Sequence, residues 1–449
     1  MKNKHDMYID YNRSNKRRGK RNHSRIGMFI VLFLLCLGLG SATYFGVKAY
    51  QKHGKEQKPE DTTNIGDDTT STQDTDNYQP VIVQTVTNSP RPTTVPTPTI
   101  TSIPATPTPL AEATDNRIPV KVKGIYVTAP IVGTSKMDDL IQMVDSTEVN
   151  AMVIDIKDDH GKITYKMDSA LAKEIGAVTN TIPDMKTLVD TLKEKNIYLI
   201  ARIVAFKDPL LAEKRQDLAI KNPDGTVYRD NNGDGWVNPY KKEVWDYLVD
   251  VATQAAMIGF NEIQFDYIRF STGLGTTDVD FGAGSANISK EEIITKFTKY
   301  AYEKIKPLGV YMSADVFGTI ISSTQDAALV GQNYSEMAKY LDYICPMIYP
   351  SHFGEGNYGI QYPDLEPYNI IRKVLTASKE QLDQIPVGEH RAIVRPWLQD
   401  FTASWIKHYQ KYGGKELREQ IKADYSVDYE EWLLWNASCR YSEDGLLKE

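Results

Sequence analysis

The sequence predicts an α/β protein built on a (β/α)8 TIM barrel, and two observations carry that expectation. Eight short apolar runs between Val122 and Ser438 each end on polar or aromatic residues, and amphipathic stretches with apolar residues at three- and four-residue spacing lie between them. Strand, helix, strand order implies parallel pairing, and eight parallel strands are the number that closes such a barrel. An active site would then lie at the strand C-termini.

The expected strands are Val122–Ala129, Ala151–Asp158, Tyr198–Phe206, Glu262–Phe270, Gly309–Gly318, Asp342–Pro350, Arg391–Gln399 and Glu431–Ser438. The expected helices are Lys136–Thr147, Met185–Asn196, Tyr240–Gly259, Lys290–Leu308, Ser335–Leu341, Pro367–Leu382 and Lys415–Tyr425. Composition shifts near residue 118, so only about the last 330 of the 449 residues read as globular, enough for one barrel with its loops.

The first quarter reads differently. Residues 26–47 carry no charge and are long enough to cross a bilayer. Residues 1–25 hold nine Lys or Arg against Asp6 and Asp10, which places this tail in the cytoplasm and the barrel outside, as a single-pass cell-membrane protein. A cleaved signal peptide is the competing reading, since Gly40-Ser41-Ala42 is a small-residue triplet after the apolar core. Residues 48–117 are polar, and Pro80 to Pro109 holds eight prolines among threonines, the composition of an extended, disordered stalk. Residues 118–449 form the barrel domain.

The net charge of −7 includes +7 from the first 25 residues, so the remainder carries −14, which argues against nucleic acid as a partner. Beyond Cys36, only Cys345 and Cys439 remain, and both are expected to be free and buried.

Alternation along the strands separates barrel-facing from helix-facing residues. In strand four, Ile263, Phe265 and Tyr267 suit the helix side, leaving Gln264 and Asp266 inward. In strand five, Tyr311, Ser313, Asp315 and Phe317 face the axis, making Asp315 a neighbour of Asp266. Two carboxylates on adjacent parallel strands, about 5 Å apart at the backbone, fall in the range of a glycosidase pair. One would attack or stabilise an anomeric carbon while the other, its pKa raised by the like charge, protonates the leaving oxygen.

Strand two adds Asp155 and Lys157 inward, with Asp158 and Asp159 beyond its end, as a floor or as an internal ion pair. Arg202 and Arg395 are long donors suited to a carboxylate, a substrate acid group or sugar hydroxyls. Arg269 is a further partner for Asp266, Asn436 could meet a ligand hydroxyl, and His352 beyond strand six could donate to one. Tyr126, Tyr267, Phe317, Tyr349, Phe353, Trp397, Trp435 and Trp236 give the rim an aromatic character suited to sugar faces. Asp230-Asn231-Asn232-Gly233-Asp234-Gly235 matches the first half of a calcium loop, but position twelve is Lys241 where Glu is needed, so the segment reads first as a turn and only second as a calcium site. HExxH, paired CxxC, GxSxG and phosphate-binding glycine loops are missing from the sequence, which leaves carboxylate chemistry needing no metal or organic cofactor.

Five ordered blocks carry a family resemblance: Val153-Ile154-Asp155-Ile156-Lys157-Asp158-Asp159, Phe265-Asp266-Tyr267-Ile268-Arg269-Phe270, Ser313-Ala314-Asp315-Val316-Phe317-Gly318, Pro346-Met347-Ile348-Tyr349-Pro350-Ser351-His352-Phe353 and Arg395-Pro396-Trp397-Leu398-Gln399-Asp400. Over about residues 122–440 the chain resembles a bacterial glycoside-hydrolase-like TIM-barrel family once catalogued only as a domain of unknown function. More distantly it is similar to amylase and α-galactosidase barrels, in which an Asp ending strand four is the nucleophile; Asp266 occupies that place. The resemblance implies a surface-anchored glycosidase acting on polysaccharide, with Asp266 as nucleophile or stabilising carboxylate and Asp315 as acid/base. Gln264, Arg202, Arg395, His352, Trp397 and Asn436 would shape the sugar subsites. The alternatives are a surface protein that binds glycan without cleaving it and a lyase acting on an acidic polysaccharide.

Overall fold

The computed structural model describes residue 115, residues 117–273 and residues 278–448. The expected cytoplasmic tail, membrane span and nearly all of the stalk lie outside these residues. Among the described residues no helix is long and apolar enough to cross a membrane.

Nine strands form the barrel: β1 (Lys123–Val127), β2 (Ala151–Lys157), β3 (Tyr198–Val204), β4 (Glu262–Asp266), β5 (Tyr311–Phe317), β6 (Tyr343–Met347), β7 (Ile393–Val394), β8 (Trp397–Gln399) and β9 (Trp432–Trp435). Every pairing between them is parallel, and β9 closes the ring onto β1 through Lys123↔Trp432, Gly124↔Leu433 and Ile125↔Leu434. Strands β2 and β3 are buried along their whole length, as parallel strands covered on both faces must be, which is why they read as nearly unbroken apolar runs.

Nine strands make eight staves because the seventh expected run is split. Pro396 has no N–H to give to a ladder, so pairing lapses after Val394 and resumes at Trp397. β7 pairs with β6 through Tyr343↔Ile393, whereas β8 pairs with β6 at Met347↔Trp397 and with β9 at Trp397↔Leu433.

Seven outer helices fill the crossovers: α1 (Ser135–Ser146), α2 (Met185–Glu194), α3 (Lys242–Ile258), α4 (Lys290–Ile305), α5 (Tyr334–Ala338), α6 (Pro367–Leu382) and α7 (Gly414–Tyr425). Helix α3 buries Val244, Tyr247, Leu248, Val251, Ala252 and Ala255, the stripe that a helix lays on a sheet. Asp184, Ser289 and Asn333 start α2, α4 and α5 by accepting the backbone N–H of Thr187, Glu292 and Glu336 at 3.0, 3.1 and 3.1 Å.

The base of the barrel is tied by Arg395, which corrects its expected place among the sugar subsites. Its Nη1 donates to Glu262 Oε1 and Oε2 at 2.9 and 2.8 Å, its Nε donates to Glu431 Oε2 at 2.9 Å, and its guanidinium lies 3.6 Å from the Tyr343 ring centroid. Glu262 opens β4, Tyr343 opens β6 and Glu431 precedes β9, so the long side chain runs toward the strand starts, away from the mouth. Replacing Arg395 with Met strands two buried carboxylates, and urea denaturation is expected to show a loss of about 3–5 kcal/mol.

Candidate active site

The strand register assembles the mouth of the barrel. Asp155 of β2 is level with Arg202 of β3, Arg202 with Gln264 of β4, and Gln264 with Ser313 of β5. Asp266 and Asp315 stand one inward position further along, so they are level with each other on adjacent strands, about 4.8 Å apart in the pairing direction. The expected inward pair is therefore brought together.

Arg202 is the centre of this layer. Its Nε and Nη2 donate to Asp266 Oδ2 at 3.0 and 2.6 Å, its Nη1 to Asp155 Oδ1 at 2.7 Å, and its Nη2 also to Asp159 Oδ1 at 3.0 Å. Tyr126 of β1 donates its hydroxyl to Asp155 Oδ2 at 2.6 Å and stacks on Trp435 of β9 with centroids 4.3 Å apart. Trp397 of β8 donates its indole N–H to Asp315 Oδ1 at 2.6 Å.

These contacts divide the carboxyls electrostatically. Burial, then the neighbouring charge of Asp266, pushes Asp315 well above the usual carboxylate range, with the Trp397 hydrogen bond opposing the rise. Burial also raises Asp155 to about 6, although Arg202 and the Tyr126 hydroxyl pull the other way. At Asp159 burial is the largest influence and would raise it, yet the charges of Arg202 and Lys207 bring it below its ordinary value. Asp315, raised by burial and by its neighbour, thus stands beside a carboxyl that a guanidinium holds in place.

Two local departures from ideal strand geometry alter the expected facing. The β2–β3 register slips between Asp155 and Lys157, which leaves Lys157 opposite Ile203, a residue of the helix-facing set. Lys157 is consequently buried outside the site, where it meets Asp208 Oδ2 at 2.8 Å and donates to the Val204 carbonyl at 2.7 Å. The chain leaves β4 through Tyr267 with φ 50°, a left-handed conformation that costs a non-glycine residue energy and reorients its side chain. Tyr267 therefore faces the mouth rather than the helices: Lys207 Nζ lies 5.1 Å and the Arg269 guanidinium 4.9 Å from its ring, while its backbone N–H donates to Asp266 Oδ1 at 2.6 Å.

The remaining expected residues have specific places. Arg269 does not pair with Asp266; it lies against the rings of Trp236, Tyr267 and Phe317 at 5.1, 4.9 and 4.5 Å and donates to the Phe270 carbonyl at 2.8 Å. Asp158 shapes the turn after β2, its Oδ1 accepting the N–H groups of His160 and Lys162 at 2.9 and 2.8 Å. Gln264 is buried with its amide nitrogen 3.6 Å from Cys345 Sγ. Tyr349 and His352 pack together beyond β6 with centroids 5.0 Å apart, and burial lowers His352 to about 3, so its ring is neutral. Asn436 commits its amide to the C-terminal loop: Nδ2 donates to the carbonyls of Asp400 and Arg440, and Oδ1 accepts from Ser438 N–H and Oγ. That use of every amide group corrects its expected contact with a sugar hydroxyl. Lys207, missed in the sequence, lies at the mouth and meets Asp234 Oδ2 at 3.1 Å; its signal was a lysine directly after the third apolar run.

In the glycine-rich loop Asp230 is used internally, while Asp234 pairs with Lys207. Asp230 Oδ1 accepts the N–H of Asn232 and Asp234 at 2.9 and 3.1 Å, and its Oδ2 accepts the Trp236 indole N–H at 2.9 Å. Among the described residues no three His, Cys, Asp or Glu groups are gathered to hold a metal ion. Cys345 and Cys439 are free and buried.

A closed parallel barrel with paired carboxyls at the C-terminal strand ends defines a protein of the glycoside-hydrolase barrel class. The chain belongs to the family described as putative glycosyl hydrolase domain, whose model matches residues 124–441. Among solved structures it is similar to a hypothetical protein from Ruminiclostridium thermocellum ATCC 27405, at 39% identity over 43% of this chain and 97% of that one, with a TM-score of 0.40. It shares its fold with the PgaB (BpsB) glycoside hydrolase domain from Bordetella bronchiseptica, at 12% identity over 71% of this chain and 94% of that one, with a TM-score of 0.50. A β-galactosidase from the psychrophilic Marinomonas ef1 matches at 10% identity over 72% of this chain and 57% of that one, also with a TM-score of 0.50. A search of curated proteins finds no match.

The raised Asp155 has a thermodynamic consequence. Folded Asp155 holds its proton more tightly than the unfolded chain does, so its stabilising contribution is full below about pH 4 and is lost as pH rises through about 6. Urea denaturation between pH 4 and 7 is expected to show stability falling across that window, with a shallower fall in Asp155→Asn.

Proposed function

We propose that this chain is a membrane-anchored extracellular glycoside hydrolase acting on a bacterial or environmental polysaccharide, with Asp315 as proton donor and Asp266 as the carboxylate facing the anomeric carbon. The observation that carries the reading is the contrast between the two level acids: Asp315 raised by burial and by its neighbour, Asp266 ion-paired to Arg202. Asp315 would pass its proton to the glycosidic oxygen as the C–O bond breaks. Asp266 would attack or stabilise the positive carbon that remains, and water would complete the cleavage. Asp155 and Tyr126 are positioning residues, since they act on the reacting carboxylates through Arg202.

One observation favours the second reading, a barrel that binds glycan without cleaving it. Asp315 is only 2% exposed, and an acid must reach the oxygen it protonates. Product release by the full chain on a panel of cell-wall and exopolysaccharide glycans separates the two. Cleavage is expected to fall as pH rises through the elevated Asp315 titration, because the acid form is consumed. Asp315→Asn is expected to lower turnover by about 10²–10⁴-fold and to remove that alkaline limb, while Asp266→Asn abolishes turnover with the fold retained. Binding by all forms without product would establish the second reading.

Anchoring is supported by the uncharged residues 26–47 after a basic tail. Where the stalk reaches the barrel, Arg117 donates to the Val310 carbonyl at 2.8 Å and to Asp342 Oδ1 and Oδ2 at 2.7 and 2.8 Å. Those partners precede β5 and β6, so Arg117 lies at the end of the barrel opposite the carboxyls. Protease added to intact cells is expected to release the barrel while the basic tail stays protected; a barrel protected until lysis would refute this orientation.

A further inference from the structure

Of the large hydrophobic side chains exposed among the described residues, two are aromatic, Trp405 and Tyr409, at 48% and 45% exposure. Both lie on residues 400–413, the loop that leaves β8 at the same end of the barrel as Asp266 and Asp315. An exposed indole costs free energy in the unliganded chain, and single exposed apolar residues need no explanation; two aromatics on one loop at the mouth invite one.

The loop is held in shape by a buried acid of the neighbouring loop. Asp364 Oδ2 accepts the Gln410 N–H at 3.0 Å, and its carbonyl accepts Gln410 Nε2 and the Tyr412 hydroxyl at 2.7 and 3.1 Å. Asp364 Oδ1 also accepts Nε2 of Gln399, the last residue of β8, at 3.1 Å, and the Tyr412 N–H donates across the loop to Thr402 Oγ1 at 3.1 Å. Trp405 lies nearly parallel to Phe401, with an interplanar angle of 14° and centroids 5.9 Å apart. Trp405 thus packs beside Phe401 while about half of its surface stays exposed. Phe401 in turn meets Tyr349, just beyond β6, at 5.6 Å. Strand β6 is the register partner of Asp315 through Cys345. A line of rings thus runs from Tyr349, just beyond the C-terminal end of β6, through Phe401 to Trp405.

We propose that Trp405, with Tyr409 on the same loop, forms a stacking subsite for a pyranose ring of the same glycan chain whose linkage lies at Asp266 and Asp315, so that the enzyme is built for polymers rather than short oligosaccharides. The inference rests on the glycan reading of the site and adds to it the length of the substrate. A flat ring, half exposed and packed beside another ring on a hydrogen-bonded loop, suits the C–H face of a sugar, and a rigid platform loses little entropy on binding. The occupant is a remote unit of the substrate, and its contact is made equally in ground and transition states.

The test uses the full chain with Trp405→Ala and Trp405→Phe, each also on the Asp266→Asn background. Affinity electrophoresis runs the Asp266→Asn forms through gels containing soluble chitosan, xylan, carboxymethylcellulose, galactan, alginate or solubilised cell-wall glycan. Kinetics follow for whichever of these the wild-type chain cleaves, as polymer and as oligomers of decreasing length. Trp405→Ala is expected to weaken retardation and to raise KM on the polymer about tenfold with kcat little changed, the loss shrinking as the oligomer shortens, and Trp405→Phe is expected to restore much of the binding. Retardation and KM that are unchanged in Trp405→Ala, or no retardation of the parent by any glycan, overturn the subsite. Retardation that depends on Trp405 with no product from the wild-type chain keeps the subsite and removes the hydrolytic reading. Thermal melts confirm that the exposed substitution leaves the fold intact.

Discussion

The mouth of the barrel depends on one guanidinium. Arg202 is buried and faces three carboxyls, those of Asp155, Asp159 and Asp266. Removing charges from water is repaid only where opposite charge and hydrogen bonds are supplied at close range, and a single guanidinium cannot repay every acid around it. The order of the titrations follows from that shortage. Asp159 gains from both Arg202 and Lys207 and is lowered, Asp155 shares Arg202 and rises to about 6, and Asp315, which no cation in this cluster touches, is raised by burial and by Asp266. Carboxyls of the same residue type are thereby separated by environment alone.

The base of the barrel provides a control for that argument. Arg395 is as deeply buried as Arg202, but its two carboxylates, Glu262 and Glu431, receive three directed hydrogen bonds from it, and Glu262 also accepts the Tyr198 hydroxyl at 3.1 Å. Fewer acids share the cation, and none of its partners is left without a donor. A cluster in that balance serves the fold. The mouth differs in that three acids share its guanidinium where two share that of Arg395.

The barrel was legible in the sequence because parallel strands covered on both faces must be apolar throughout, and because every crossover carries a helix with one apolar stripe. Helix α6 has the bounds that its periodicity predicts, Pro367–Leu382. The inward pair Asp266 and Asp315 was legible for the same reason, since strict alternation holds along β5 and as far as Asp266 in β4. What alternation cannot encode is a local break in the backbone. The slip in β2 turned Lys157 away, the positive φ at Tyr267 turned that ring toward the site, and Pro396 divided a stave. Side-chain reach is equally absent from a periodic pattern: Arg395 points inward as alternation requires, yet its length carries it to the opposite end. Asn436 was misassigned because an amide ending a strand meets its own loop's backbone as readily as a ligand, and only the closed set of hydrogen bonds distinguishes the two.

The divided stave joins the two ends of the molecule. Arg395 and Trp397 flank Pro396 and, being two residues apart, share the inward face. One extends to the carboxylates at the base, and the other turns its indole N–H to Asp315 at the mouth. The break at Pro396 interrupts the ladder without shifting it: β7 pairs with the start of β6 and β8 with its end in one register, so the same alignment fixes both side chains. The hydrogen bond from Trp397 favours the ionised form of Asp315, against burial and the charge of Asp266. It therefore tempers the rise that burial and the charge of Asp266 impose on Asp315.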